Sequence, residues 1–175
     1  STAINALSGR LIPNLGEWMD KECNWDGIIE TLPRGELRNF FISVREGQIK
    51  VALKPQNIDR LPKRIQGTVR DLLSKVDERN MFDEMTTELG ISHLLDRTVQ
   101  QLSGGELQKG AIAATLLKDA DLYFFDEPSS YLDIEQRILM AKMISELGEK
   151  KSVIVIEHDL AILDYVTNNI HVMYG

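Results

Sequence analysis

Two adjacent carboxylates, Asp126 and Glu127, follow four apolar or aromatic residues at 122–125. An acidic pair at the exit of a buried strand lies where open α/β sheets bind ligands. Asp126 there suits Mg²⁺, held directly or through water. Glu127, the next residue, faces the attacking water and can orient it and accept its proton. His158 follows a second apolar run, 153–156, with Glu157 between. An imidazole at that place can donate a hydrogen bond to a γ-phosphate oxygen as charge develops. Ser103-Gly104-Gly105 opens a helix at Glu106. Two glycines allow close backbone approach, and the free N–H groups and dipole of the helix start make an anion site. The whole stretch 102–108, Leu-Ser-Gly-Gly-Glu-Leu-Gln, is far more specific than those three residues. Gln56 follows a short strand directly, and its amide can complete an Mg²⁺ shell or hold the water. Asp133, just after the acidic strand, could couple to a facing subunit. His93 and His171 sit in no such context and read as structural.

These residues need elements to carry them. Residues 49–53, 122–125, 153–156 and 170–174 read as strands, and the unbroken apolar runs suit strands buried on both faces of a parallel sheet. Residues 1–10 read as the first turns of a helix with Ala3, Ile4, Leu7 and Leu11 on one face. A helix opening at Ser1-Thr2 fits the tail of a G-x-x-x-x-G-K-[ST] phosphate loop, and equally an ordinary cap. A turn at 13–16 and an irregular stretch at 18–24 follow. Helices at 26–32 and 36–45 flank the breaker Pro33-Arg34-Gly35, the second with Leu37, Phe40, Phe41 and Val44 on one side. Thr68 caps a helix through Val76, 81–89 forms another ended by Gly90, and 91–95 is a short helical piece. Residues 97–101 form a polar approach to the helix at 106–117. Asp133 caps a helix to Leu147 with Gly148 as its stop, and 160–166 is helical. Strand and helix alternate, so the class is α/β with a largely parallel sheet.

The chain has 175 residues, enough for one domain with a sizeable core. No run approaches the length that spans a bilayer. The single cysteine, Cys23, allows no internal disulfide and points to a reducing compartment. A net charge of −7 argues against nucleic-acid binding through the whole surface. Charge is uneven, however: residues 45–70 carry seven Lys/Arg against two acidic residues. That stretch is either a solvated face or a contact for an anionic surface.

In this order the motifs resemble the P-loop NTPase-like ATP-binding cassette superfamily. Ser1-Thr2 is similar to the end of its Walker A loop and Gln56 to its Q-loop. Residues 102–108 are similar to its signature and 122–127 to its Walker B. Residues 130–133 are similar to its D-loop, and His158 to its switch histidine. The resemblance implies ATP and Mg²⁺, with Ser1, Gln56 and Asp126 at the metal. It implies Glu127 and His158 as catalytic groups, and Thr2, Ser103, Gly104, Gly105, Glu106 and Asp133 at nucleotide. It also implies a second cassette bound head-to-tail, because a signature closes over ATP held by its partner.

Lys54-Pro55-Gln56, the run 126–133, residues 157–160 and the closing Met-Tyr-Gly at 173–175 resemble subfamily E, the ribosome-recycling ATPases of the RNase L inhibitor family. That resemblance makes this the first cassette, lacking its N-terminal strands and Walker A glycines. It makes 25–46 a helix-loop-helix insertion that docks on the small ribosomal subunit, with Trp25, Arg34, Arg38 and Arg45 as candidate contacts, and about 57–118 the helical signature region. The implied activity is ATP hydrolysis that splits ribosomal subunits in the cytoplasm, alongside termination and initiation factors. Iron–sulfur clusters are expected only in an N-terminal region outside these residues. The competing readings are the motor cassette of a membrane transporter and a cassette-shaped binding module without turnover. Gln108-Lys109-Gly110 departs from the family, which usually has Arg followed by a bulkier residue.

Overall fold

The apolar runs become three parallel strands, β1 (Val51–Lys54), β2 (Leu122–Asp126) and β3 (Ser152–Ile156), in the order β1-β2-β3. The computed structural model describes residues 2–9, 11, 24–167 and 169–172. Ser1, the turn at 13–16, Cys23 and residues 173–175 lie outside them. The helices are α1 (Thr2–Leu7), α2 (Trp25–Thr31), α3 (Glu36–Arg45), α4 (Leu61–Arg64), α5 (Val69–Val76), α6 (Phe82–Glu88), α7 (Gly104–Leu116), α8 (Ile134–Gly148) and α9 (Leu160–Val166).

β2 is buried along its whole length because both sheet faces are covered there. Alternate side chains point to opposite faces of a strand. Tyr123 and Phe125 enter the main core with residues of α5 to α9, whereas Leu122 and Phe124 meet Ile4, Leu53, Leu7 and Phe40 on the other side. Burying each such aromatic side chain is worth roughly 1.5–3 kcal/mol. Helix starts follow the expected chemistry: the side chains of Thr68 and Asp133 accept from the backbone N–H groups of Asp71 and Gln136. α2 and α3 form the expected helix-loop-helix, locked by Trp25 stacking on Phe41 at a centroid distance of 5.5 Å.

Several expectations need correction. β1 starts at Val51, not Ile49, because the N–H of Ile49 goes back to the Ser43 carbonyl at 3.2 Å and closes the turn after α3. β3 is not buried on both faces: among the described residues no strand pairs with its outer side, and Ile154 is 40% exposed. Residues 170–172 form no strand. Gly148 is the last residue of α8 rather than its stop, and the N–H groups of Lys150 and Lys151 close the end on the Leu147 carbonyl. The segment after Gln56 is helical, with a 3₁₀ turn (Ile58–Arg60) followed by α4. Leu37 turns away from the buried side of α3 and is 52% exposed. It lines an open, largely apolar groove with Phe40, Phe124 and Ile154. The basic stretch does not form one face. Lys54 is fully buried, Arg45 pairs with Asp26, and Arg70 pairs with Asp96.

Gly110 sits inside α7, and a Cβ built there meets nothing within 4 Å. Glycine costs about 1 kcal/mol relative to alanine in a helix interior. Gly110→Ala is expected to raise the unfolding free energy by about 0.5–1 kcal/mol, read as a higher denaturant midpoint. A lower midpoint would show that the helix needs the glycine for another reason.

Candidate active site

Parallel pairing brings three chain exits together at one edge of the sheet. Gln56 stands two residues beyond the end of β1, Asp126 ends β2 with Glu127 next, and His158 stands two residues beyond β3. The backbone N–H of Glu127 donates to the Ile156 carbonyl at 2.8 Å, so the β2 exit stays tied to β3. The side chains converge on the Glu127 carboxylate. Gln56 Nε2 donates to its Oε1 at 2.5 Å, His158 Nε2 lies 3.4 Å from the same oxygen, and Ser130 Oγ donates to Oε2 at 3.5 Å. Two residues singled out in the sequence, Gln56 and His158, therefore address one oxygen of a third, Glu127. Asp126 is only 3% exposed beside them, while the His158 side chain is 83% exposed and free to meet a ligand.

Glu157 holds His158 in place. Its Oε1 accepts from the His158 N–H at 2.9 Å and its Oε2 from the Ser129 N–H at 3.1 Å. The turn after β2 and the turn after β3 thus share one carboxylate. Lys54 ends β1 with its ammonium under the site, donating to the carbonyls of Asp126 at 2.9 Å and Glu127 at 3.1 Å. Burial lowers its pKa from 10.5 to about 8, against the opposing pull of Asp126, Glu127 and Glu157. Gln108, fully buried on α7, donates to the carbonyls of Glu127 at 2.9 Å and Pro128 at 2.7 Å. Sequence reading gave none of Lys54, Gln108 and Glu157 a role in the site. The signal was present in each: a lysine closing an apolar strand, an amide on a core-facing helix position, a carboxylate after an apolar run.

The start of α7 is a separate part of the same surface. Ser103 Oγ accepts from the Glu106 N–H at 3.4 Å, and Glu106 Oε2 accepts from the Ser103 N–H at 2.7 Å. This capping box fixes the helix start. The Ser103 N–H, and then its hydroxyl, hold the Glu106 carboxyl below the usual range. Glu106 is therefore engaged within its own helix. Gly104 and Gly105 lie under Tyr131, whose phenol donates to Asp59 at 2.9 Å. A Cβ on Gly105 would meet the Tyr131 carbonyl oxygen at 2.9 Å, and one on Gly104 would meet the Tyr131 ring at 3.0 Å. Asp133 caps α8 through the Gln136 N–H at 2.9 Å, away from the Glu127 oxygens' partners. In the α2–α3 pair, Arg38 Nη1 reaches the Leu32 carbonyl at 3.5 Å, Arg45 pairs with Asp26, and Arg34 is exposed. Trp25 is half-buried against Phe41. Ser1 lies outside the described residues, and so does the side chain of Thr2.

Gln56 and Asp126 offer hard oxygen donors, which suits Mg²⁺. Among the described residues no group of three His, Cys, Asp or Glu could hold a metal alone. Mg²⁺ characteristically takes one or two protein ligands and shares the rest of its shell with phosphates and water, so the donor set fits.

The strand exits, the capped signature helix and the glutamate–histidine pair define an ATP-binding cassette, and the model of the family described as ABC transporter matches residues 1–130. The chain belongs to that family. Within it the similarity runs to subfamily E. The chain is 50% identical over 175 residues to an uncharacterized ABC transporter ATP-binding protein of Methanocaldococcus jannaschii, covering all of this chain and 28% of that protein. It is 43% identical over 176 residues to ABC transporter E family member 1 of Arabidopsis thaliana, covering all of this chain and 29% of that protein. An archaeal ribosome recycling factor, aABCE1, solved in complex with the ribosomal stalk protein aP1, superposes with a TM-score of 0.92 at 50% identity, over 99% of this chain and 33% of that one. The chain spans a little under a third of the length of the curated relatives it matches.

Two outcomes follow from this geometry. Gly105→Ala must move backbone, so it should lower the melting temperature more than Gly104→Ala, where a side-chain ring can swing aside; equal effects would show that Tyr131 does not set the requirement. The Lys54 ammonium has a lower pKa folded than unfolded. The unfolded chain therefore binds more protons between about pH 8 and 10.5, and stability rises with pH across that window. Denaturant unfolding at pH values across it should show the rise, and Lys54→Met should abolish it.

Proposed function

We propose that this chain is the ATP-binding and ATP-hydrolysing cassette of a ribosome-recycling factor that splits ribosomal subunits. The observation that carries the reading is the Glu127 carboxylate, fixed by the Gln56 amide and flanked by His158 at 3.4 Å. Glu127 orients the attacking water and accepts its proton. The Gln56 N–H keeps the carboxylate turned toward the site, and Ser130 supports its second oxygen. His158 donates to the phosphate oxygen on which charge develops. Asp126, Gln56 and Ser1 would hold Mg²⁺, which neutralises phosphate charge when bound. Ser103, Gly104 and Gly105 face a second cassette bound head-to-tail, and Asp133 and the 130–133 turn approach that partner beside them. Thr2 completes the nucleotide-binding set, and Glu106 serves it by capping the helix start at Ser103.

The partner in this reading is the small ribosomal subunit, with termination and initiation factors, in the cytoplasm. The ribosome-recycling name of a solved relative at 50% identity supports it. The insertion offers Arg34 and Arg45 exposed, with Trp25 and Arg38 half-buried. No helix among the described residues is long and apolar enough to cross a membrane. Iron–sulfur clusters belong to a region outside these residues.

In the full-length protein, Glu127→Gln is expected to lower phosphate release by about 10²–10⁴-fold while ATP still binds. Unchanged release removes Glu127 as the base. Co-sedimentation of the full-length protein with small ribosomal subunits in ATP should be weakened by Arg34→Glu. If the unaltered protein does not co-sediment at all, the ribosomal reading fails.

A further inference from the structure

Glu127 has φ +48°, the left-handed region that non-glycine residues seldom adopt. Such a conformation costs on the order of 1–3 kcal/mol and persists only where its surroundings over-determine it. The surroundings here are two buried side chains from different elements. Lys54, from β1, donates to the carbonyls of Asp126 and Glu127. Gln108, from α7, donates to the carbonyls of Glu127 and Pro128. Three successive carbonyls are thus held, and the middle one twice. Both side chains are fully buried. Gln108 Oε1 is buried without a hydrogen-bond partner, so the amide carries an unpaired acceptor in exchange for its two donated bonds. Filling that space with an apolar side chain would avoid the unpaired oxygen, which makes the donors the reason for an amide at this position.

We propose that Lys54 and Gln108 are positioning residues for Glu127, clamping the turn after β2 so that its carboxylate points at Gln56 and His158. The claim rests on the reading of Glu127 as the base. It also gives α7 a direct mechanical link to that base. The helix whose first residues form the signature carries, one turn on, the amide that grips the Glu127 carbonyl.

The test uses the full-length protein with both cassettes. Lys54→Met, Gln108→Met and Gln108→Glu are each measured alone and in a Glu127→Gln background. Each single change should lower kcat by about 10- to 100-fold, the loss expected for a misplaced catalytic group, with KM for ATP within about twofold. Gln108→Glu conserves shape but turns a carboxylate toward two carbonyls, so it should lose as much as Gln108→Met. Near-normal turnover in Gln108→Glu would mean that shape alone matters, and the clamp is overturned. Lys54→Arg keeps a charged donor and should retain most activity, which carries the lysine half of the test if Lys54→Met does not fold. In the Glu127→Gln background none of these changes should lower the residual rate further. Full additive losses there overturn the positioning role and leave the base assignment standing. Normal turnover in Glu127→Gln alone overturns the base assignment, and the clamp with it.

Discussion

Gln56 and Glu127 are 71 positions apart, yet they share a hydrogen bond because β1 and β2 run parallel and in register, Lys54 opposite Phe125. The same pairing sets Asp126 opposite Ile156 and brings the chain after β3 to the same edge. In a parallel sheet every strand ends at the same side, so whatever follows each strand must meet its neighbours there. Antiparallel pairing of the same three segments would send one of the three exits to the opposite edge. The site is therefore a consequence of strand direction before it is a consequence of any single side chain. Burial of β2 on both faces is what fixes that direction and register, because a slip by one residue would exchange Tyr123 and Phe125 with Leu122 and Phe124 between two different cores.

The turn leaving β2 is held from three elements. It takes donors from β1 through Lys54 and from α7 through Gln108, and its Glu127 N–H donates to the Ile156 carbonyl of β3. Four residues later Tyr131, also at positive φ, lies over the paired glycines of α7. The turn after β2 and the start of α7 are thus packed against each other. The glycines leave room for the Tyr131 ring and carbonyl that lie over them. Glu106, in its capping box and paired with Arg97, and Asp133 at the start of α8 act by fixing where those helices begin.

The local chemistry was legible in the chain. Apolar runs marked β2 and β3, Thr68, Ser103 and Asp133 marked helix starts, and the acidic pair and distant histidine marked the site. Each of these depends on neighbours in sequence, by strand alternation or by side chains capping the next turn. Errors fell where a remote partner decides. Ile49 looked like strand but gives its N–H to the turn after α3. The basic stretch looked like one patch, but its charges go separately to Asp26, to Asp96 and into the site.

By itself, then, the sequence determined the buried strand β2, the helix starts at Thr68, Ser103 and Asp133 and the residue types available at the strand exits, because those follow from short-range spacing. Tertiary structure alone decided that Gln56 and His158 address the same oxygen of Glu127, and that Lys54 and Gln108 hold its backbone. The reason is physical: a hydrogen bond between residues tens of positions apart forms only after parallel pairing and burial have brought their chain segments within about 3 Å.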